Sequence, residues 1–512
     1  MLSDSASLIL STKSTINPCT INAQKTAFTF NNIDMKNVMG EMWDKYDQFA
    51  LKVVSFSTEG TVSLTNSAFG LITYNLRGLE WSNVIYETTG SNINKQWVPV
   101  VYTLASTVNP LIVNTGWSFN WKKSSRMINF EFAIGVAEAT FTNASQFGNI
   151  TAGNNYNNVE FHFLFEPVIA GKMNECAFYG FNSNVNIPGI KRTVTDSNKI
   201  YSYPDFNMRR LCNLFWDKHE DFEIQLAMMS ARGTGANTGD IRITPVQMSG
   251  LNFVNNGTKQ SNNTEGLRLN TENAIIGTMI APTSTVGYMA DLAYPVAPVQ
   301  FKKDNDNVPL TITFKNSENT GTTNAVGFGG FGTPTWQLAF FVKPIYEVEK
   351  ATLNINPWGL TTTETNLGVR DTGYTTFTLK GIDLRKLCQS FWHKYERFNI
   401  FLTQTTWHAG ACYYVSAWNL SLEGLDFISQ MSLTNPQRQA QIGVLGSVAT
   451  SPYANDVRSQ GTMSALVTSF YKGKEVVDLT LRASPMRTPD DPFSAFLPLN
   501  GNFTFTIVGV KM

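Results

Sequence analysis

Histidine is scarce in this sequence: His162, His219, His393 and His408 are four residues in 512. None stands in an HxH or HExxH pair, so the spacing that seats a catalytic metal is absent. The cysteines are five (Cys19, Cys176, Cys212, Cys388 and Cys412), with no CxxC pair. That excludes a thiolate zinc site of the usual spacing, and the odd number argues against a disulfide framework. A reducing compartment fits such thiols. Charge is also thin, at 15% of residues, with 39 basic and 39 acidic side chains. A net charge of zero leaves no general basic surface for nucleic acid, so no specific nucleic-acid partner is expected. No apolar run reaches the ~18 residues of a membrane span. The first residues, MLSDSASLILSTKS, lack the basic start and long apolar core of a secretory signal. The expectation is a chain made in the cytoplasm, without a membrane span.

Motifs that imitate chemistry fail on context. Residues 327–332 read GFGGFG, but no GKS or GKT follows, and the strand-to-helix setting of a dinucleotide site is missing. The run near Gly368 is equally uninformative. Glu41, Asp44 and Asp47 lie close together, on what reads as the solvated face of a helix. Paired carboxylates do occur in glycosidases, but the solvated face is favoured. The sequons at Asn143 and Asn502 carry little weight in an Asn-rich chain without a signal. No catalytic, cofactor-binding or metal residue is nominated, and neither cofactor nor enzyme activity is expected.

What the chain does have is a threefold repeat. IDMKNVMGEMWDKYDQFALKV starts at Ile33, FNMRRLCNLFWDKHEDFEIQL at Phe206 and IDLRKLCQSFWHKYERFNIFL at Ile382. Trp43, Trp216 and Trp392 align, 173 and 176 residues apart, so the repeated unit is a whole domain. Asp34, Asn207 and Asp383 precede apolar residues at i, i+3, i+4, i+7 and i+8. Met35, Val38, Met39, Met42 and Trp43 are the first set, and Cys212 and Cys388 stand where the first copy has Met39. This predicts a capped helix with one buried face, closed by Lys45, Lys218 or Lys394. The period then changes to two at Phe49, Leu51 and Val53, at Phe222, Ile224 and Leu226, and at Phe398, Ile400 and Leu402. Each helix is thus predicted to feed a strand.

Further marks recur around this stretch. Opening strands are expected at Ser7–Ser11, Cys176–Asn182 and Ala351–Ile355. LRGLEW, MSGLNF and LEGLDF place Gly78, Gly250 and Gly424 at a bulge, a turn or a close backbone approach. Trp121, Phe301 and Tyr471 each precede lysines and then an alternating strand. The favoured reading is a strand, a solvated turn and a strand; a binding strip of aromatics and lysines is the alternative. Each copy closes on an aromatic strand, at Glu160, Trp336 and Asn502. Residues 142–159, 230–240, 255–273 and 315–333, rich in Asn, Thr, Gly and Ser, read as surface loops. Many strands and one short helix per unit predict an all-β chain: three tandem jelly-roll or β-sandwich domains, over 1–170, 171–347 and 348–512, each with one short capped helix.

The DLRKLCQSFWHKYERFNIFL segment, the GLDF mark and the Asn/Thr-rich loops together resemble minor capsid proteins of large icosahedral double-stranded DNA viruses of algae and protists. The resemblance spans all three repeats. It implies tandem jelly rolls, no catalysis and a place in the capsid shell of the virion. The partners implied are the major capsid protein and other minor capsid proteins, with self-association in the shell. Major capsid proteins of that group carry two jelly rolls, so three repeats depart from them and favour a minor component. The competing class is a lectin-like protein with glycan-facing aromatics such as Trp117 and Trp407. An enzyme ranks third.

Overall fold

The opening strand of the first repeat, Ala6–Ser11, pairs antiparallel with its closing strand, Asn158–Pro167, aligning Ala6 with Phe165 and Leu10 with Phe161. Residues more than 150 positions apart thereby lie side by side. The structure, a computed structural model, describes residues 5–15, 19–22, 27–59, 62–64, 71–86, 97–104, 111–113, 117–136, 150–152, 158–182, 193–195, 200–234, 243–259, 267–280, 286–289, 298–314, 335–346, 349–355, 364–366, 374–407, 417–428, 442–449, 468–485 and 501–510.

The first repeat builds two sheets. One runs Ala6–Ser11, Asn158–Pro167, Gln48–Glu59, Ser118–Lys122, Glu80–Trp81; the other runs Cys19–Ile21, Ala27–Asp34, Met127–Val136, Leu71–Arg77, Val98–Leu104. Side chains alternate between faces, so each sheet sends one row inward. Phe132 of one sheet meets Phe161 of the other with ring centroids 4.2 Å apart. The second repeat orders Ala177–Asn182, Thr335–Pro344, Asp221–Thr234 and Val299–Lys302 in one sheet, against Ile200–Asn207, Asn307–Phe314, Ile243–Ser249 and Asn273–Ile280. The third places Lys350–Ile355, Gly501–Val510, Arg397–Trp407 and Thr468–Tyr471 against Tyr374–Asp383, Val476–Pro485, Ala417–Glu423 and Ile442–Ala449. The strand order is the same three times, and it is that of a jelly roll. The chain is all-β, with four short α-helices among the described residues. Buried apolar residues gather in three clusters.

The repeated helices connect the strands ending at Asp34, Asn207 and Asp383 to those opening at Gln48, Asp221 and Arg397. The caps are as expected. Asp34 Oδ1 accepts from the N–H groups of Lys36 and Asn37, Asn207 Oδ1 from Arg210 and Asp383 Oδ1 from Lys386. One more free N–H of the first turn is satisfied across the fold: Met35 N donates to Arg126 O, Met208 N to Asp306 O and Leu384 N to Glu475 O.

The helices themselves are shorter than the apolar stripe predicts. Met35–Met39 and Glu41–Lys45 are separated by Gly40 at φ 57°. Met208–Leu211 gives way to a 3₁₀ turn at Trp216–Lys218, and Leu384–Cys388 to one at Gln389–Phe391, with Gln389 at φ 42°. The stripe is buried all the same, with Val38 only partly so. Burial follows the spacing even where the backbone departs from one continuous helix.

Trp43, Trp216 and Trp392 are all buried, as the stripe requires. Each packs on the first inward Phe of the next strand. Trp43–Phe49 lie 6.0 Å apart and 1° from parallel, while Trp216–Phe222 and Trp392–Phe398 are both at 4.9 Å. A third ring completes each group: Trp121 on Phe49, Phe301 on Phe222 and Phe470 on Phe398. In the third copy the structurally equivalent residue is therefore Phe470, not Tyr471. Phe470 pairs with Phe398 as Trp121 pairs with Phe49, and Tyr471 is half exposed. The aromatic-plus-lysine pattern misplaces it by one residue because Tyr471 also stands next to a lysine.

Gly78, Gly250 and Gly424 mark a close backbone approach. Their φ values are 114°, 100° and 107°, and a Cβ would lie 1.9, 2.3 and 2.0 Å from the carbonyl oxygens of Asn129, Pro309 and Asp478. Only glycine fits a left-handed turn with a carbonyl at that distance. The 255–273 stretch is corrected as well. Asn256–Lys259 and Arg268–Leu269 are strands, and Asn255 and Asn256 are buried. The strand Asp221–Thr234 likewise enters the 230–240 stretch, and Ile150–Ala152 the 142–159 one. Residues 142–149 and 315–333 lie outside the described residues.

Candidate functional site

The side chains that could be mistaken for chemistry occupy separate places. His162 Nε2 meets Glu160 at 2.9 Å on an outward strand face. His393 is exposed. His408, Cys412, the 327–332 glycines and Gly368 lie outside the described residues. Glu41, Asp44 and Asp47 are exposed and pair with Lys45, Lys36 and Lys123, which is the solvated face expected of them. No group of three His, Cys, Asp or Glu side chains among the described residues could hold a metal ion. Trp117, named as a glycan-facing aromatic, is buried, edge-on to Phe119 at 6.4 Å. The side chain of Trp407 lies outside the described residues.

One lysine in each aromatic-plus-lysine mark is less solvated than the sequence suggests. Lys123 Nζ donates to Trp43 O at 2.8 Å and Lys303 Nζ to Trp216 O at 3.1 Å. The same ammonium groups stand 5.6 and 5.9 Å from the centroids of those indole rings. Lys123, Lys303 and Lys472 also pair with Asp47, Glu220 and Glu396. One lysine per copy thus closes the end of the helical segment, while Lys122, Lys302 and Lys474 are exposed.

One buried carboxylate stands out. Glu175, only 3% exposed, accepts from Gly171 N at 3.0 Å and Tyr346 Oη at 2.7 Å, and meets His219 Nε2 at 3.0 Å. Burial, followed by the hydrogen bond to the Glu175 carboxylate, pushes the Tyr346 phenol far above its ordinary range. Lys218 stands 3.9 Å away. Glu349 takes the same position in the third repeat and pairs with Lys394 at 2.7 Å. The recurring arrangement ties the residues before an opening strand to the end of the helical segment. It positions backbone, and its carboxylate is already engaged on every side that the described residues offer.

The arrangement with functional content lies where consecutive repeats meet. Val84–Tyr86 of the first repeat runs parallel to the opening strand of the second, pairing Val84 with Phe178 and Tyr86 with Gly180. Asn256–Lys259 of the second runs parallel to the opening strand of the third, pairing Asn256 with Thr352 and Thr258 with Asn354. Val84 and Asn256 both stand six positions after the aligned glycine, and Phe178 and Thr352 each follow the alanine that pairs with the equivalent residue of the closing strand, Ala177 with Val342 and Ala351 with Ile507, so the register is identical. The entry bond is the same too: Phe178 N donates to Asn83 O and Thr352 N to Asn255 O, each at 2.8 Å. Asn83 and Asn255 turn the chain into the junction with φ of 56° and 52°, a conformation that asparagine tolerates better than most residues.

The side chains filling the two junctions differ in kind. The first is aromatic: Phe119, Phe178 and Phe341 meet pairwise at 5.2 to 5.8 Å, with Trp81 6.1 Å from Phe119. The second is polar. Asn255 Nδ2 donates to Gln300 Oε1 at 3.0 Å, Thr352 Oγ1 to Pro298 O at 3.2 Å and Thr504 Oγ1 to Asn354 Oδ1 at 2.9 Å, and Lys350 pairs with Glu223 at 2.7 Å. One backbone scheme is thus held by two kinds of contact. Sequence reasoning missed these strands because three or four residues carry no readable period. The signal that could have found them is the asparagine five positions after the aligned glycine in both copies.

No family model matches this chain, and no curated protein matches it. Among solved structures it is similar to one from the atomic structure of Sulfolobus turreted icosahedral virus, at 9% identity and TM-score 0.20, over 97% of this chain and 86% of that one. It is also similar to the N-terminal CBM22-1–CBM22-2 tandem domain of Paenibacillus barcinonensis Xyn10C, at 9% identity and TM-score 0.15, over 66% of this chain and 91% of that one. A third likeness is to PNGF-II, at 8% identity and TM-score 0.23, over 91% of this chain and 100% of that one. Scores this low carry no functional argument. The class of the protein therefore rests on its own strand order: an all-β chain of jelly rolls in tandem.

Proposed function

We propose that this chain is a structural minor capsid protein that connects or stabilises the icosahedral shell of a large DNA virus. The observation that carries this reading is the pair of junctions. Three jelly rolls are coupled in series by backbone pairing, which suits a spacer that holds attachment points at set intervals. The features that recur in all three repeats cap a helix, stack a ring, turn a strand or pair a lysine at the end of the helical segment. None of these roles needs a substrate, and in this reading the chain has no catalytic activity or cofactor of its own. The resemblance of its repeated segment to minor capsid proteins supplies the setting.

In this reading the chain is made in the host cytoplasm and resides in the capsid shell. Its partners are the major capsid protein and other minor capsid proteins, met through loops and sheet faces. Linked sites raise avidity without any single tight contact. Crosslinking mass spectrometry on purified particles is expected to yield links from all three thirds of the chain to capsid neighbours. Absence of the chain from particles, or links from one third alone, would overturn the proposal. Binding on a glycan array would instead favour the lectin-like class, which has lost Trp117 to the interior.

A further inference from the structure

Lys52, Glu166 and Asn174 of the first repeat bring an amine, a carboxylate and a side-chain amide into contact. Lys52 lies on Gln48–Glu59 and Glu166 on the closing strand Asn158–Pro167, where Lys52 pairs with Leu164 and Glu166 with Ala50. Their side chains are thus diagonal neighbours on the outward face of one sheet. Lys52 Nζ donates to Glu166 Oε2 and, at 3.2 Å, to Asn174 Oδ1. The amine and the amide it meets are 122 positions apart along the chain.

A tight turn delivers Asn174 to this place. Val168 N donates to Gln48 O at 2.9 Å, Ile169 and Met173 exchange N–H···O bonds of 3.0 Å, and Gly171 turns the chain with φ of 74°. Asn174 then takes φ of 59°, which asparagine tolerates, and its Nδ2 donates to Pro167 O at 3.2 Å. The two bonds of the amide fix which way it faces. Turned over, it would set its oxygen against a carbonyl and its NH2 against an ammonium. The carbonyl side therefore faces Lys52, and the NH2 side is held by Pro167.

The constellation is not part of the repeated architecture. Counted from the aligned Phe49, Phe222 and Phe398, the place of Lys52 is held by Gln225 and Phe401. The place of Glu166, one before the shared proline, is Lys343 in the second repeat. The Glu166 side chain is 15% exposed, so it is largely withdrawn from water. An ammonium is no nucleophile until it loses a proton, and the carboxylate in contact with it is placed to take one. An amine within hydrogen-bond reach of an amide oxygen is also near the separation of about 3–3.5 Å from which it attacks the neighbouring carbon.

We propose that Lys52 and Asn174 form an intramolecular isopeptide bond, with Glu166 carrying the protons. Glu166 takes a proton from the Lys52 ammonium, and the freed electron pair of Nζ attacks Cγ of Asn174. Glu166 passes that proton to Nδ2 and takes a second one from Nζ. The Cγ–Nδ2 bond breaks, the Cγ–Nζ amide remains, and ammonia leaves with the second proton as ammonium. Nothing is oxidised or reduced, and no co-reactant is needed. The event happens once per chain and without turnover, so it asks for no enzyme activity, and it stands or falls apart from the shell reading. Its product ties the turn that precedes Ala177–Asn182 to the middle strand of the sheet in the first repeat. Tension between the first repeat and the second then runs through a covalent bond, and not through the hydrogen-bonded pairing of Gln48–Glu59 with Asn158–Pro167.

Mass spectrometry of the purified full chain tests it. The wild type is expected to weigh one ammonia less than its sequence requires. Its tryptic digest is expected to contain a branched peptide joining Lys52 to Asn174, with no cleavage after Lys52. Lys52→Arg keeps the charge but offers no nucleophilic amine. Glu166→Gln keeps the shape and an acceptor for the Lys52 ammonium but takes no proton, so it separates proton transfer from packing. Both variants are expected to keep the full mass and to yield no branched peptide. A wild type of full mass that is cleaved after Lys52 would overturn the proposal. So would a lost ammonia without the branched peptide, which is the mark of a cyclised asparagine, or a branched peptide that persists in Glu166→Gln.

Discussion

At the scale of single residues, the aligned tryptophans do several jobs at once. Trp216 is buried, stacks on Phe222, donates from Nε1 to Asp306 Oδ1 at 2.8 Å and lies under the Lys303 ammonium. Trp216→Ala should cost about 3–5 kcal/mol, as expected for deleting a large buried aromatic. The shift in an unfolding transition of the full chain in denaturant measures it. A negligible shift would refute the core role. Asp34 offers a pH test. The Arg126 guanidinium bonded to it, aided by the N–H groups it caps, holds its carboxyl at about 2 against an ordinary 3.8. A carboxyl lowered by folding stabilises above its unfolded pKa and loses that contribution as pH falls through the folded one. The window is therefore about pH 4 down to about 2. NMR titration of Asp34 should show its midpoint rising toward 3.8 in Arg126→Gln, and an unmoved midpoint would exclude Arg126 as the cause.

At the scale of elements, the helical segments are too short to stand alone. Four or five residues fall below the length at which a helix holds in water, so each depends on its cap, its tryptophan and the turn packed against it. Asp383 Oδ1 accepts from Lys386 N at 2.8 Å. Asp383→Ala should cost about 1 kcal/mol, and Asp383→Asn should retain most of the stability, since both side chains accept from the same N–H. Thermal melts of the two variants check the order. Equal losses would show that the charge matters more than the acceptor.

For the whole molecule, coupling between repeats is the property to measure. Phe178 belongs to the second repeat by sequence but packs with the buried residues of the first, against Phe119. Phe178→Ala removes the ring that bridges both. Calorimetry should show the unfolding of the first two repeats separating, with the third unaffected because its junction uses other side chains. A shift confined to the transition of one repeat would mean that Phe178 acts within that repeat only. The polar second junction should respond instead to Asn255, whose side chain and left-handed backbone both serve that turn.

The boundary between what was legible and what was not follows the range of each interaction. The sequence alone determined the caps at Asp34, Asn207 and Asp383, the burial of the three tryptophans and the alternating strands; at Gly78, Gly250 and Gly424 it left a bulge, a turn and a close approach open, and the fold decided for the last. Each of the first three rests on residues a few positions apart, where a period or a cap can be read directly. The partners of the strands are not local. Ala6 meets Phe165 and Ala351 meets Ile507, and no period along the chain states such a pairing, so the jelly-roll order emerged only in three dimensions. The breaks at Gly40 and Gln389 are a tertiary outcome as well: packing against the strands decides where such short helices end. Phe470 was hidden by the more conspicuous Tyr471 beside it, because a ring next to a lysine looks the same in either register. The junction strands were the least legible part. Three or four residues in an Asn-rich stretch read as loop, and only the uncovered edge of the next repeat makes them strands.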